Sequence, residues 1–334
     1  MQATLIYNAS AGGASNCSAH DIQDALKQAG YDVHYQPTKS EDDVAPALAD
    51  AAGLVVVVGG DGTVRTVVTH YMKQREALMD NDNNSATSLD TSQAAHSEPT
   101  TNNLPPAEPP RLSIVPLGTA NNLSRALGIE GDIKSILAGL EQPQKCRFDV
   151  GYVAAPWGKD YFLEGFGCGI YADALAEYGP EQGKSFWRAA DTFTDLIQNY
   201  QPQSVRAELD GQDISGELIM LSALNTRSIG PRLDLAPRAN PADGQLEVLR
   251  VCQNDQVSLL RYLTNMLSEE LPKLPGVDVL HGKKLELEWQ GCALHADAEV
   301  RPPTSFSFDS ATRYLLKVGV LEGAVEFWLP QQAA

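Results

Sequence analysis

Apolar and polar positions alternate in two different regimes along the chain. In the first, ATLIYNA reads as a short strand, and Ser18 can cap a helix running through Ile22, Ala25, Leu26 and Ala29 that Gly30 stops. YDVHYQPT is a second strand with Pro37 at its end, followed by a helix from about Glu41 to Ala52 with Pro46 in its first turns. Leu54 to Val58 is wholly apolar and mostly β-branched, which suits a strand covered on both faces of a parallel sheet. Thr63 to Leu78 has helical character, and Leu112 to Pro116 is another buried strand. The order βαβαβαβ predicts a doubly wound α/β domain over residues 1–143.

Residues 79–110, MDNDNNSATSLDTSQAAHSEPTTNNLPPAEPP, interrupt that domain with almost no large apolar residues. Such a segment cannot bury enough surface to offset the cost of ordering, so a disordered surface insertion is expected. After about residue 145 the second regime begins. Short alternating or aromatic segments (CRFDVGYVAA, DYFLEGFGCGI, SVRAELD, ELIMLSALNT, QLEVLRVC, KLELEW, TSFSFD, RYLLKVGVL) are separated by the turn signals PWGK, DGQD and ADGQ. This pattern predicts an antiparallel β-sandwich over 144–320, with residues 321–334 returning to the first domain. Two helices are expected within it, near Ser185–Tyr200 and near Gln256–Leu267, the latter with Asp255 as N-cap. Phe186, Trp187, Phe193, Leu196 and Ile197 in the first of these suit either a core face or an acyl-chain pocket. An α/β domain followed by an all-β domain implies an active-site cleft between them.

Length and charge narrow the function. The chain has 334 residues, 43% of them hydrophobic, and a formal net charge of −18. Such acidity excludes general nucleic-acid binding and gives no attraction to anionic lipid surfaces. No apolar run approaches the ~20 residues that span a bilayer, and the first residues lack a signal-peptide pattern, so a cytoplasmic protein is expected. The cysteines, Cys17, Cys146, Cys168, Cys252 and Cys292, are widely spaced and suggest reduced thiols. The six histidines show no ligand spacing.

The candidate chemistry lies where strands end. In LVVVVGGDGTVRTVV, glycines at the end of a buried strand let the backbone approach a ligand, and the helix that follows aims free N–H groups at the same point. That is an anion site suited to phosphate. Asp61 there implies either a cation or a structural hydrogen bond, and Thr63 either a phosphate contact or a helix cap. LSIVPLGTANNLSRAL repeats the arrangement with Gly118, Thr119 and Asn121. GFGCGI, by contrast, reads as a strand with close backbone packing around Gly165, Gly167 and Gly169.

GGDGT followed by PLGTANN resembles the diacylglycerol kinase catalytic-domain superfamily, which includes bacterial lipid kinases and sphingosine kinases. YNASAGG, FDVGY with YFLEGFGCGIYADAL, LNTRSIGPRLDLAPRANPADGQLEV and LHADAEV match further family segments in order, so the resemblance covers nearly all of the chain except the insertion. Length and arrangement are most similar to soluble bacterial lipid kinases. The resemblance implies ATP held by Gly59, Gly60, Asp61, Gly62 and Thr63, with Gly118, Thr119 and Asn121 from the second turn and Asn8 and Thr38 nearby. It implies Asp297 as general base with Glu299 beside it, and Mg2+ at a loop formed by Asn240, Asp243 and Gln245. The implied acceptor is a lipid with a free hydroxyl, reached by transient peripheral contact with a membrane.

Several positions depart from the family pattern. Arg65 and Thr66 stand where it has N-E after GGDGT, and Asn122 replaces the aspartate of G-T-x-N-D. Ala298 interrupts D-G-E, and Glu164 replaces the asparagine of YF-x-N. Arg65 is either a phosphate contact or a solvated helix residue. Three functions follow: an ATP-dependent lipid kinase, a NAD kinase-like enzyme, which also uses GGDGT, or a nucleotide-binding regulator without transfer activity.

Overall fold

A computed structural model describes residues 1–8, 18–86, 110–186, 200–254, 257–266 and 270–331. Most of the expected insertion (87–109) and most of the expected helix near 185–200, with Trp187, Phe193, Leu196 and Ile197, lie outside these residues, as does Asp255.

The first lobe is built on four parallel strands: β1 (Gln2–Asn8), β2 (Asp32–Thr38), β3 (Leu54–Gly59) and β4 (Arg111–Pro116), in the order β2-β1-β3-β4. Every residue of β3 is buried, as its unbroken apolar run requires. Pro37 is tolerated because β2 is the edge strand, where a missing N–H leaves no ladder bond unmade. Helix α1 (Ala19–Gln28) starts in a capping box: Asp21 N–H donates to Ser18 Oγ (3.2 Å), and Ser18 N–H donates back to Asp21 Oδ2 (3.3 Å). Helix α2 (Val44–Ala49) is shorter than its expected span, because Glu41–Asp43 forms a 3-10 turn ahead of it. Helix α3 (Asp61–Ala86) is longer, beginning at the glycine turn itself and continuing into the polar segment. Once nucleated, a helix gains a hydrogen bond with each added residue and needs no burial to continue. Two short helices follow β4: α4 (Asn122–Ala126) and α5 (Ile133–Gly139).

The second lobe is antiparallel. It contains β5 (Gln144–Ala155), β6 (Gly158–Phe162), β7 (Gly165–Gly169), β8 (Gln203–Leu209), β9 (Gln212–Asp213) and β10 (Gly216–Leu224). The hairpin β11 (Ser228–Ile229) and β12 (Leu233–Asp234), β13 (Leu246–Cys252), β14 (Val277–Gly282) and β15 (Lys284–Trp289) follow, with β16 (Leu294–Ala296), β17 (Glu299–Arg301) and β18 (Tyr314–Leu329) last. Helix α6 (Ile170–Phe186), broken at Gly179 (φ 71), starts directly after β7, where the sequence pattern predicts no helix, and a helix at Leu259–Met266 lies inside the expected 256–267 span. One core fills the space between the sandwich strands around Phe162, Phe166, Leu287 and Trp289; another packs α6 and the Leu259–Met266 helix on the outer face of β10 and β13. Gly167 confirms close backbone packing, since a Cβ there would meet Leu221 O at 2.1 Å.

β18 belongs to both lobes. Its first part pairs antiparallel with β15, Lys317–Leu321 and Val325–Leu329 pair antiparallel with β5, and its end pairs parallel with β4 through Glu326↔Arg111 and Phe327↔Leu112. A register shift between Leu321 and Val325 marks where it passes from one lobe to the other.

Candidate active site

The carboxyl ends of β1, β3 and β4 form one rim. Gly60 caps α3 by accepting from Thr63 N (3.0 Å) and Val64 N (3.2 Å), and Leu117 N donates to Gly59 O (2.8 Å). The two glycine turns touch: a Cβ on Gly118 would stand 2.8 Å from Gly60 Cα, and one on Gly60 3.3 Å from Gly118 Cα. Gly118 admits no side chain without a shift of the facing backbone, and Gly60 leaves little room for one. Over Gly62, by contrast, an added Cβ meets nothing within 4 Å, so the first turn of α3 faces open space. Main-chain N–H groups at a helix start, beside a glycine with free space above it, form a cradle that fits a phosphate.

Asn8 Nδ2 donates to Thr63 Oγ1 (2.9 Å), tying β1 to the first turn. Thr38 reaches the same rim on β2, but it is 2% exposed and its hydroxyl donates to Tyr7 O (3.2 Å). Asn121 adopts left-handed backbone (φ 52) and donates from Nδ2 to Gly118 O (2.8 Å), which closes the second turn. Thr119 is exposed beside it.

Asp61 makes structural hydrogen bonds. Its carboxylate accepts from the main-chain N–H groups of Asn122 (Oδ2, 3.1 Å) and Leu123 (Oδ1, 3.1 Å), at the start of α4. One turn thereby caps the helix that follows the other, and the carboxylate favours that positive helix end.

The second lobe brings Asp297 to the same cleft. Asp297 is 5% exposed, sits in left-handed backbone (φ 53), and inserts its carboxylate into the turn before β7. Oδ1 accepts from the N–H groups of Leu163 (3.1 Å), Glu164 (2.7 Å) and Gly165 (3.0 Å); Oδ2 accepts from Leu163 (3.0 Å). Burial raises its pKa, opposed by the Arg65 charge and by these N–H donors. His295 lies behind it, with Nδ1 3.3 Å from Asp297 O and Nε2 3.2 Å from Ser222 Oγ. Burial pushes the imidazole down to about 3, so it is neutral.

Glu299 is engaged by two arginines: Arg65 of α3, and Arg301 at 2.9 Å. Arg65 is 8% exposed and pairs with Glu299, so it is not a solvated helix residue; it is an ion-pair partner across the lobes. A second bridge from α3, Glu76–Lys159 (2.6 Å), also crosses between them. Arg232, in left-handed backbone (φ 67), adds another link by donating to Thr119 O and Ala120 O (both 3.1 Å).

Two departures noted separately in the sequence meet here. Asn122 Nδ2 donates to Glu164 Oε2 (3.3 Å) and to Gly230 O (2.8 Å), and Gly230 N donates to the same Glu164 oxygen (2.9 Å). Where the family pattern carries a carboxylate at the first position and an amide at the second, this chain carries the reverse. A continuous thread therefore runs Asp61–Asn122–Glu164–Asp297 between the glycine turns and the other lobe. Burial, with Asp61 and Asp297 nearby, holds the Glu164 carboxyl well above its usual range.

The expected metal loop stands elsewhere. Asp243 Oδ1 accepts from Gln245 N within its own turn (3.0 Å). The loop is held by Asp149 of β5, whose carboxylate accepts from Gly244 N (2.7 Å) and Gly323 N (2.6 Å) and whose N–H donates to Pro241 O (2.7 Å). Asn225 joins this region to the cleft by donating to both Asp149 O and Leu163 O. Among the described residues no group of three or more His, Cys, Asp or Glu side chains is arranged to hold a metal ion; the resemblance implies a different set, the Asp243 carboxylate with the main-chain carbonyls of Asn240 and Gln245.

Residues 2–153 match the diacylglycerol kinase catalytic domain, and residues 186–318 match the YegS C-terminal NAD kinase beta sandwich-like domain. The chain belongs to the diacylglycerol kinase catalytic-domain superfamily. It is 24% identical over 283 residues to a diacylglycerol kinase of Bacillus subtilis, covering 80% of each chain. It is 29% identical over 260 residues to "Probable lipid kinase YegS-like" of Pseudomonas putida, covering 76% of this chain and 75% of that protein. A solved structure of a diacylglycerol kinase from Bacillus anthracis shares the fold with TM-score 0.64 at 18% identity, over 99% of this chain and 98% of that one. The superfamily is one of lipid kinases, and the two-lobe architecture follows it: an α/β catalytic domain, then a β-sandwich.

Proposed function

We propose that this chain is an ATP-dependent lipid kinase that transfers the γ-phosphoryl group of ATP to a lipid hydroxyl. The observation that supports the reading is the thread from the two glycine turns to Asp297, which links a candidate phosphate cradle to a buried carboxylate of the other lobe. The triphosphate lies over Gly62 and against the N–H groups of the two turns. Asp297 Oδ2, the less occupied carboxylate oxygen, accepts the proton of the acceptor hydroxyl. The lipid oxygen bonds to the γ-phosphorus as the bond from that phosphorus to the β–γ bridging oxygen breaks, and ADP departs with those electrons. Glu299 and Arg65 keep α3 and β17 in register rather than taking the proton themselves. Magnesium, when it accompanies the nucleotide, supplies charge neutralisation on the phosphates.

A lipid acceptor implies brief contact with a bilayer surface. With a net charge of −18, that contact rests on apolar side chains rather than on general attraction to anionic headgroups. No helix of the described residues is long and apolar enough to cross a membrane.

The test is incubation of the purified chain with γ-labelled ATP and, in separate arms, a total lipid extract in detergent micelles or NAD. A labelled lipid that disappears with Asp297→Asn supports the reading. NADP formation instead would move the assignment to the NAD kinase branch, and ATP binding with neither product would leave a regulator.

A further inference from the structure

Asn122 and Glu164 come from different lobes, 42 residues apart, and both are almost fully buried, at 2% and 3% exposed. Between them they satisfy both polar groups of Gly230: its N–H donates to Glu164, and its carbonyl accepts from Asn122. The arrangement depends on chemical type. One carboxylate oxygen accepts from two donors, while the amide donates to that oxygen and to a carbonyl. A second carboxyl at position 122 would set two acceptor groups at about the 3.3 Å separation of the present pair, adding to the acid crowding around Glu164, and would leave Gly230 O facing an acceptor. Glu164 is also central to the turn that holds the candidate base, since its own N–H makes the 2.7 Å bond to Asp297 Oδ1.

We propose that Glu164 is a positioning residue for phosphoryl transfer: paired with Asn122, it fixes the Leu163–Gly165 turn, and with it Asp297, against the second glycine turn. The exchange of carboxylate and amide between positions 122 and 164 is then a single compensated change, not two losses, and it leaves the cleft competent. The catalytic half of this inference rests on the lipid-kinase reading; the pairing does not.

Four variants test it: Glu164→Ala, Glu164→Gln, Asn122→Asp, and the double variant Asn122→Asp/Glu164→Gln. A glutamine oxygen can accept both bonds that Glu164 Oε2 accepts, so Glu164→Gln is expected to keep kcat within about threefold. Glu164→Ala is expected to lower kcat for lipid phosphorylation at least tenfold with the KM for ATP unchanged, because the phosphate cradle is untouched. Asn122→Asp is expected to lose at least tenfold, and adding Glu164→Gln to recover part of that loss, because the contact between two carboxyls is removed while Gly230 O still faces an acceptor. Equal losses for Glu164→Gln and Glu164→Ala, or a double variant no better than Asn122→Asp, would overturn the positioning role. Thermal unfolding of the same four proteins reads the pairing without any turnover. Recovery of the Asn122→Asp loss of Tm on adding Glu164→Gln supports it, and strictly additive shifts refute it. A wild-type chain that phosphorylates no lipid would refute the lipid-kinase reading and the catalytic half together, while the unfolding data would still decide the pairing.

Discussion

Gly62 offers a substitution in which stability and function are expected to move in opposite directions. It lies in the first turn of α3 with ordinary backbone, and a Cβ built there meets nothing within 4 Å. Alanine at a helical glycine with compatible φ and ψ stabilises by roughly 0.4–1 kcal/mol, chiefly by restricting the unfolded chain. For a chain of this size that corresponds to a rise in Tm of about 0.5–1.5 °C without nucleotide. The same methyl occupies the space through which a phosphate oxygen would approach the N–H groups. Ligand at 100 times its Kd stabilises a protein by about 2.7 kcal/mol. A tenfold weaker complex forfeits about 1.4 kcal/mol of that. The assay is a thermal unfolding series with and without saturating ATP, on wild type and Gly62→Ala. The expected result is a higher Tm for the variant alone and a smaller ATP-induced shift. An unchanged ATP shift with the higher Tm would show that phosphate does not lie over α3, and the cradle assignment would fail.

Other consequences follow from the same geometry. Gly118→Ala forces a Cβ to within 2.8 Å of Gly60 Cα and 2.7 Å of Asn121 Oδ1, so urea titration is expected to show a loss of about 1–3 kcal/mol, and ATP binding should weaken with it. Asp297→Asn is expected to reduce kcat by about 10²–10⁴ in the labelled-ATP assay with the fold intact by circular dichroism. Because burial raises the Asp297 pKa, the wild-type rate should fall as pH drops through a value above the ordinary aspartate range; a pH–rate profile flat to pH 4 would contradict that assignment. His295 has its folded pKa depressed to about 3, so it contributes stability above the unfolded value near 6.5 that is lost as pH falls toward 3. Unfolding free energy measured across that window should decline less steeply in His295→Gln.

Much of the fold was legible because its signals are local. The all-apolar β3, the Ser18–Asp21 capping box and the glycine turns each declare themselves within a few residues. Family resemblance extended this to Asp297, which no spacing rule would have joined to a turn more than 200 residues earlier. What stayed hidden was long-range partnership. Asn122 with Glu164, Arg65 with Glu299 and Arg232 with the carbonyls of the second turn all span the lobes, and periodicity carries no information about such pairs. A faint sign of the first pair did exist, as two reciprocal exchanges of amide and carboxylate. Helix α6 was missed because its first turn continues the apolar pattern of β7 without a polar break.

The long final strand has a bearing on how this protein is made. β4 receives its outer neighbour only from Glu326 and Phe327, so the first-lobe sheet stays open along one edge until translation has passed that point. An amino-terminal half expressed by itself would carry an unpaired, apolar border ready to add foreign strands. Attempts to isolate the nucleotide lobe should therefore graft residues 314–329 back onto it, rather than cut the chain near residue 143.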